Sequence, residues 1–313
     1  MKKHCLILLI LILLVSLTLQ HEPDSEILNN RELVWNMDAD FDHGDKYWYR
    51  RVGEWGLSGN YRDLNFTDLN FVAFEKSNNE TIVHLSVNRD PDTIEGYTTV
   101  IATITQGWIW DNNSKAFQPN PLHLSAVKEL YLKTLLLNAT CEGVEAAVLI
   151  NVWFLLRDVS VLRSFHWVRY EKAILGLDIY LKHVNTPLLD YQLRETVSSN
   201  GTLVYVFTRY IDNGTGTYEI DLLRELNNAV KVALNNGIII DLKKASLIQV
   251  EAVVDEFYGY SEANFSYLKV IYSTQSKDHY ESRNLKPLIQ IELMILSNET
   301  IPKELGLSPE FLE

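Results

Sequence analysis

Asp38, Asp40, Asp42 and Asp45 stand close together in Asp38-x-Asp40-x-Asp42-His43-Gly44-Asp45, and the first three alternate as calcium-binding carboxylates do. The EF-hand loop that uses such spacing needs glycine at its sixth position and a bidentate glutamate at its twelfth. His43 and Tyr49 occupy those positions here. A solvated acidic turn is the expectation, an irregular calcium site the alternative, and no metal is assigned. His21, His43, His84, His123, His166, His183 and His279 include no pair at metal-ligand spacing, and HExxH is absent. GxSxG, P-loop and GxGxxG motifs are missing too. The adjacent acids Asp255 and Glu256 would point to opposite faces of a strand and could not share one substrate. Acids far apart in sequence, such as a glycosidase brings together, are invisible to this reading. No catalytic residue and no cofactor is assigned.

Cys141 is the one cysteine left once a leader carrying Cys5 is removed, so no intrachain disulfide is open to the mature chain. The expectation is a buried thiol packing like a small hydrophobe. An intermolecular disulfide through Cys141, giving a homodimer, is the sharper alternative. Trp108-Ile109-Trp110 and Phe257-Tyr258-Gly259-Tyr260 are read as core or strand-end aromatics, with a sugar or protein contact as the alternative.

The elements that must position these residues begin with a leader. Lys2, Lys3 and His4 precede the apolar run Cys5–Leu19, and polar sequence follows at Gln20. This layout is that of a secretory signal peptide over residues 1–20, and its core is shorter than the roughly 20 residues of a bilayer span. Asn-x-Ser/Thr occurs at Asn65, Asn79, Asn112, Asn138, Asn200, Asn213, Asn264 and Asn298, eight sites where composition predicts about three. These mark expected N-glycosylation on surface turns of a secreted, extracellular protein. Residues 301–313 form a tail with no span or anchor signal, so a released protein is expected.

Of 313 residues, 28 are Lys or Arg and 41 Asp or Glu; without Lys2 and Lys3 the balance is 26 against 41, or −15. That charge excludes nucleic acid as a main partner and disfavours anionic membrane surfaces. A hydrophobic fraction of 47% supplies a packed core.

Residues 21–95 read as a loop-rich aromatic and acidic segment with one hairpin, Phe71–Phe74 against Thr81–Val87. Strand–loop–helix–strand patterns then occur twice. In 96–192 they are strand Thr98–Thr105, a helical stripe of Leu124, Val127, Leu130, Tyr131, Thr134 and Leu135, and strand Val144–Leu156. A further helix is predicted over Tyr170–His183. In 196–300 they are strand Thr202–Thr208, a helical stripe of Ile220, Leu223, Leu226, Val230, Ala233 and Leu234 stopped at Asn235-Asn236-Gly237, and strands Ile238–Ile240 and Leu247–Phe257. The pattern predicts an α+β fold of two antiparallel-sheet modules with helices on one face.

The run Leu242-Lys243-Lys244-Ala245-Ser246-Leu247-Ile248-Gln249-Val250 resembles the Gly-Ser-Val-Val-Val turn of SEA domains, a family of extracellular modules. The resemblance covers residues 201–296, and a poorer match at Leu156–Leu162 covers 96–192. It implies a ferredoxin-like sheet in each module, and self-cleavage before the turn serine. Ala245 and Val159 replace the glycine that would tolerate the strained turn, so Ala245-Ser246 is read as a vestigial cleavage turn and an intact chain is expected. Together these readings predict a secreted, N-glycosylated, non-enzymatic protein that binds an extracellular protein or glycan. The rival reading is a secreted, glycosidase-like hydrolase built on sequence-distant carboxylates.

Overall fold

The computed structural model describes residues 48–56, 61–77, 80–88, 97–107, 121–184, 189–198, 201–211 and 214–274. The leader, the Asp38–Asp45 turn, Trp108–Trp110, Asn79, Asn112, Asn200, Asn213 and Asn298 lie outside the described residues. No helix among the described residues is long and apolar enough to cross a membrane.

Two very long strands dominate the chain: β7, Val127–Arg163, and β13, Ser246–Thr274. They pair antiparallel from Ser246↔Leu155 to Thr274↔Val127. A flat strand of 37 residues would extend about 120 Å, several times the width of a domain, so the ladder must bend. The bend lies where Gly143 meets Gly259. Gly143 has φ +113°, and a Cβ there would stand 2.5 Å from the Tyr258 carbonyl oxygen. A Cβ on Gly259 would collide with the Glu142 carbonyl oxygen. The Glu256 carboxylate accepts from Gly259 N at 2.6 Å and pins the corner.

On one side of the corner the sheet widens through β5 (Tyr97–Gly107), β1 (Tyr49–Gly56) and β2 (Tyr61–Asp63) beyond β13. Beyond β7 it continues through β8 (His166–Val184), β10 (Leu203–Tyr210) and β9 (Leu193–Val197). On the other side β13 pairs with β4 (Glu80–Asn88), which carries β3 (Phe71–Ser77), and β7 pairs with β11 (Gly216–Asp221). Short β6 (Leu122–His123) and β12 (Ile238–Ile239) complete the edges. Val83 and Leu85 of the second half share one core with Ile104, Val148, Ile150 and Phe154 of the first, which makes a two-layered β-sandwich. One helix of two or more turns is described: α1, Leu222–Asn235, which packs Leu222, Leu226, Ala229 and Ala233 into the same core.

The α+β fold of two ferredoxin-like modules, and with it the SEA resemblance, is therefore corrected. Strands from both supposed modules are hydrogen-bonded in one ladder, and among the described residues one helix packs on the core rather than a layer of helices on each module's sheet. The hairpin at 71–88 and strands near 98–105 and 202–208 form as expected, as does the helix ending at Asn236 and Gly237. The helices expected over 124–135 and 170–183 are strands. Leu130, Leu132, Thr134 and Leu136 are fully buried with period two, while the intervening apolar Tyr131 and Leu135 mimic a helical stripe. In β8, Ala173–Leu181 is buried almost throughout because both faces of this central strand are covered, which erases the alternation that marks a strand. Ile238–Ile239 pairs with Ser160 and Val161 of β7.

Candidate active site

The first half of the sheet has two differently built faces. One lines the main core. The other carries a small apolar cluster of Ala147, Leu149, Tyr180 and Val253, flanked by Ile101 and Tyr210. Around it stand three carboxylates. Cross-strand pairing places them: Glu251 opposes Asn151, which opposes Asp178, and directly paired residues share a face. Asp255 lies four residues beyond Glu251, on the same face by strand periodicity. Glu256 points the other way, into the core, as adjacent acids on a strand must.

Each carboxylate has its own setting. Glu251 accepts from Trp153 Nε1 at 2.6 Å, Gln249 Nε2 at 2.7 Å and Thr105 Oγ1 at 3.1 Å. Burial pushes its pKa up, and these three donors pull against that. Asp178, 7% exposed, accepts from Arg194 Nη2 at 2.8 Å. Burial still dominates, and its pKa is pushed up to about 6. Asp255 is pushed up to about 7, first by burial and then by the charge of Asp178, with Arg194 opposing. At neutral pH this face thus holds an acid near half-protonation beside a carboxylate fixed by a guanidinium.

Aromatic walls complete the site. Tyr180 and Tyr210 stack with centroids 5.0 Å apart, and the His183 ring lies 4.9 Å from that of Tyr210. The Trp153 indole covers Gly176, where a Cβ would come within 2.7 Å of its ring. Glycine here is what lets the ring lie flat across β8. The Asn151 Oδ1 and Tyr210 Oη atoms are buried without a hydrogen-bond partner among the described residues. No group of three His, Cys, Asp or Glu able to hold a metal occurs among the described residues.

Of the residues singled out from sequence, Cys141 is a buried thiol opposite Ser261, part of the main core. An intermolecular bond would require this stretch of ladder to open. Ala245 is fully buried with φ −88° and ψ 154°, an unstrained extended residue closing a 3-10 turn at Leu242–Lys244. Ser246 is the first residue of β13, and its Oγ lies 2.8 Å from His123 Nδ1 across the β6 pairing. Nothing in that backbone stores the strain a self-cleaving turn requires. Asn65 is exposed. Asn138 and Asn264 lie within strands and oppose each other across β7 and β13, not on turns. Asn138 is exposed and Asn264 half-buried.

Sequence reasoning named Asp255 only to set it aside, and missed Asp178 and Glu251. The available signal was a lone acid inside an apolar run: Ile174-Leu-Gly-Leu-Asp178-Ile-Tyr-Leu181 and Leu247-Ile-Gln-Val-Glu251-Ala-Val-Val254. Reading the first run as a helix with Ile174, Leu177 and Leu181 on its apolar face left Asp178 without a role.

No protein-family model matches the chain, and no curated protein matches it. Among solved structures, a native family 12 xyloglucanase from Bacillus licheniformis superposes with a TM-score of 0.45 at 15% identity, over 74% of this chain and 95% of the other. Endoglucanase Cel12A from Rhodothermus marinus gives a TM-score of 0.38 at 13% identity, over 73% and 97%. The family 11 xylanase from Neocallimastix patriciarum gives 0.34 at 11%, over 72% and 100%. The non-enzymatic reading rested on the lack of a catalytic constellation. That premise is corrected by the assembled carboxylates of β8 and β13.

Proposed function

We propose that the chain is a glycoside hydrolase that works on a glycan through Asp255 and Asp178. The observation that supports this is the pair itself: two acids on one sheet face, raised to about 7 and about 6, one of them anchored by Arg194. Two-carboxylate hydrolysis needs a protonated acid to deliver a proton to the leaving glycosidic oxygen, and an ionised partner that attacks or activates water. Asp255 suits the first role, its proton retained near neutrality by burial and by the neighbouring charge. Asp178 suits the second, because Arg194 favours its ionised form. Glu251 is engaged by three donors and acts as a positioning residue that fixes the Trp153 indole. Trp153, Tyr180 and Tyr210 offer the flat apolar surfaces with polar tips on which sugar rings stack. The leader and the sequons fit an exported enzyme that meets its substrate outside the cell.

The test is release of reducing ends from a panel of neutral polysaccharides by the purified chain. Asp255→Asn and Asp178→Asn should each lower kcat/KM by at least about 100-fold, the scale of a general acid or base, with the fold intact by circular dichroism. Full activity in Asp255→Asn, or no release from any polysaccharide, would remove this reading.

A further inference from the structure

The hairpin joining β7 to β8 ends in a two-residue turn, Ser164-Phe165, with φ +46° and +69°. Such turns favour Asn-Gly, because left-handed backbone is costly for a bulky residue. Here the bulky residue is phenylalanine, and it is 68% exposed. Leu162 opposes Trp167, and both are exposed, as is the adjacent Val168. Leu162 N donates to Gly237 O and Gly237 N to Leu234 O, which brings the exposed Leu234 at the end of α1 to the same tip. Every residue from 162 to 169 is exposed. A strained turn that presents an aromatic ring to water costs stability twice and returns little packing among the described residues.

The charge around this tip runs against the rest of the molecule. The chain as a whole carries −13, yet residues 157–172 hold Arg157, Arg163, Arg169 and Lys172 against Asp158 and Glu171. Asp158 is shared by Arg169 and Lys244, at 2.9 and 3.0 Å, so that cluster keeps a surplus positive charge. Arg163 pairs with Glu195. Arg157 and Lys172 oppose each other in the ladder, both exposed.

We propose that this tip docks the protein onto an anionic lipid surface, Phe165 and Trp167 entering the interfacial layer while the flanking cations meet the headgroups. Tryptophan and its aromatic relatives favour that layer, and basic residues near it are drawn to negative lipid. The net charge read from composition disfavours such a surface; the local distribution at one end of the sandwich reverses the sign where contact occurs. Docking at this end does not engage the carboxylates of β8 and β13.

The experiment is co-sedimentation of the full chain with phosphatidylcholine vesicles, with and without phosphatidylserine. The wild type should sediment with the serine-containing vesicles, at least tenfold less with phosphatidylcholine alone, and less in high salt. Phe165→Asp/Trp167→Asp should lose at least tenfold of that binding with an unchanged thermal transition, and Trp167→Phe should keep it. Phe165→Ser, at a ring 68% exposed, guards against a folding defect and should also bind more weakly. Wild-type binding by Phe165→Asp/Trp167→Asp or by Phe165→Ser, no binding by the wild type, or tip-dependent self-association without vesicles would overturn the proposal, the last assigning the tip to a second copy of the chain.

Discussion

The two halves of the β7–β13 ladder share strands, pairing and core, yet differ in what they place on the face away from it. Before the corner, residues 249–255 of β13 and 147–153 of β7 put carboxylates, amides and an indole among apolar neighbours, where burial raises pKa values. After it, Asn138 is exposed, Glu262 and Asn264 are half-buried, and Lys133 pairs with Glu219 at 2.8 Å in the open. The same local structure thus makes a candidate chemical site in one half and a solvated surface in the other. What differs is the flanking strands: β8, β10 and β9 extend the first half and bring Asp178, Tyr210 and Arg194 to Glu251 and Asp255.

The comparison breaks most completely at the corner that separates the halves. Gly259→Val should destabilise the fold by more than about 4 kcal/mol, because backbone on the facing strand must move to admit the side chain. A urea midpoint close to that of the wild type would show that the corner does not depend on the glycine.

Next in size is the response to pH. Asp255 and Asp178 have folded pKa values above those of an unfolded chain, so the native state binds more protons. Their contribution to stability is full below about pH 4 and is lost as pH rises through about 6 and 7. Asp255→Asn should therefore gain about 1–3 kcal/mol over the wild type at about pH 8 while losing activity. The change in Tm with pH checks the sign, and a variant less stable than the wild type above pH 7 would contradict it.

An effect of similar size sharpens the inner face. Gly176→Ala should lift the Trp153 ring, loosen its bond to Glu251 and cost about 1–3 kcal/mol by overpacking. Tryptophan fluorescence and KM should shift together. An unchanged KM would separate Trp153 from substrate binding.

The smallest effects belong to the outer half. Asn138 is exposed, whereas Asn264 is half-buried between β4 and β7, with a buried Oδ1. Expression in animal cells should attach a glycan to Asn138 and leave Asn264 bare, read by peptide mass spectrometry. Lys133→Ala should change stability by no more than about 1 kcal/mol, as exposed ion pairs do.

Much of the local structure was legible. The hairpin at 71–88 shows alternation and a polar turn, and α1 shows a one-sided stripe, an Asp221 cap whose side chain accepts from Arg224 N at 3.0 Å, and a Gly237 stop with φ +70°. Each is specified within a few residues. The active-site candidates were not legible, since Glu251 and Asp178 are separated by most of a hundred residues of chain and meet through β7.

The sequence by itself determined a well-filled apolar core, the expectation of export, and the stops and turns that short-range backbone preferences enforce. The tertiary structure decided which apolar runs became strands, because Ala173–Leu181 is buried on both faces and its periodicity carries no sign of that. It also decided which acids matter. A carboxylate's pKa depends on the burial and charges supplied by neighbouring strands, and strand pairing is a long-range outcome of burying the whole ladder at once.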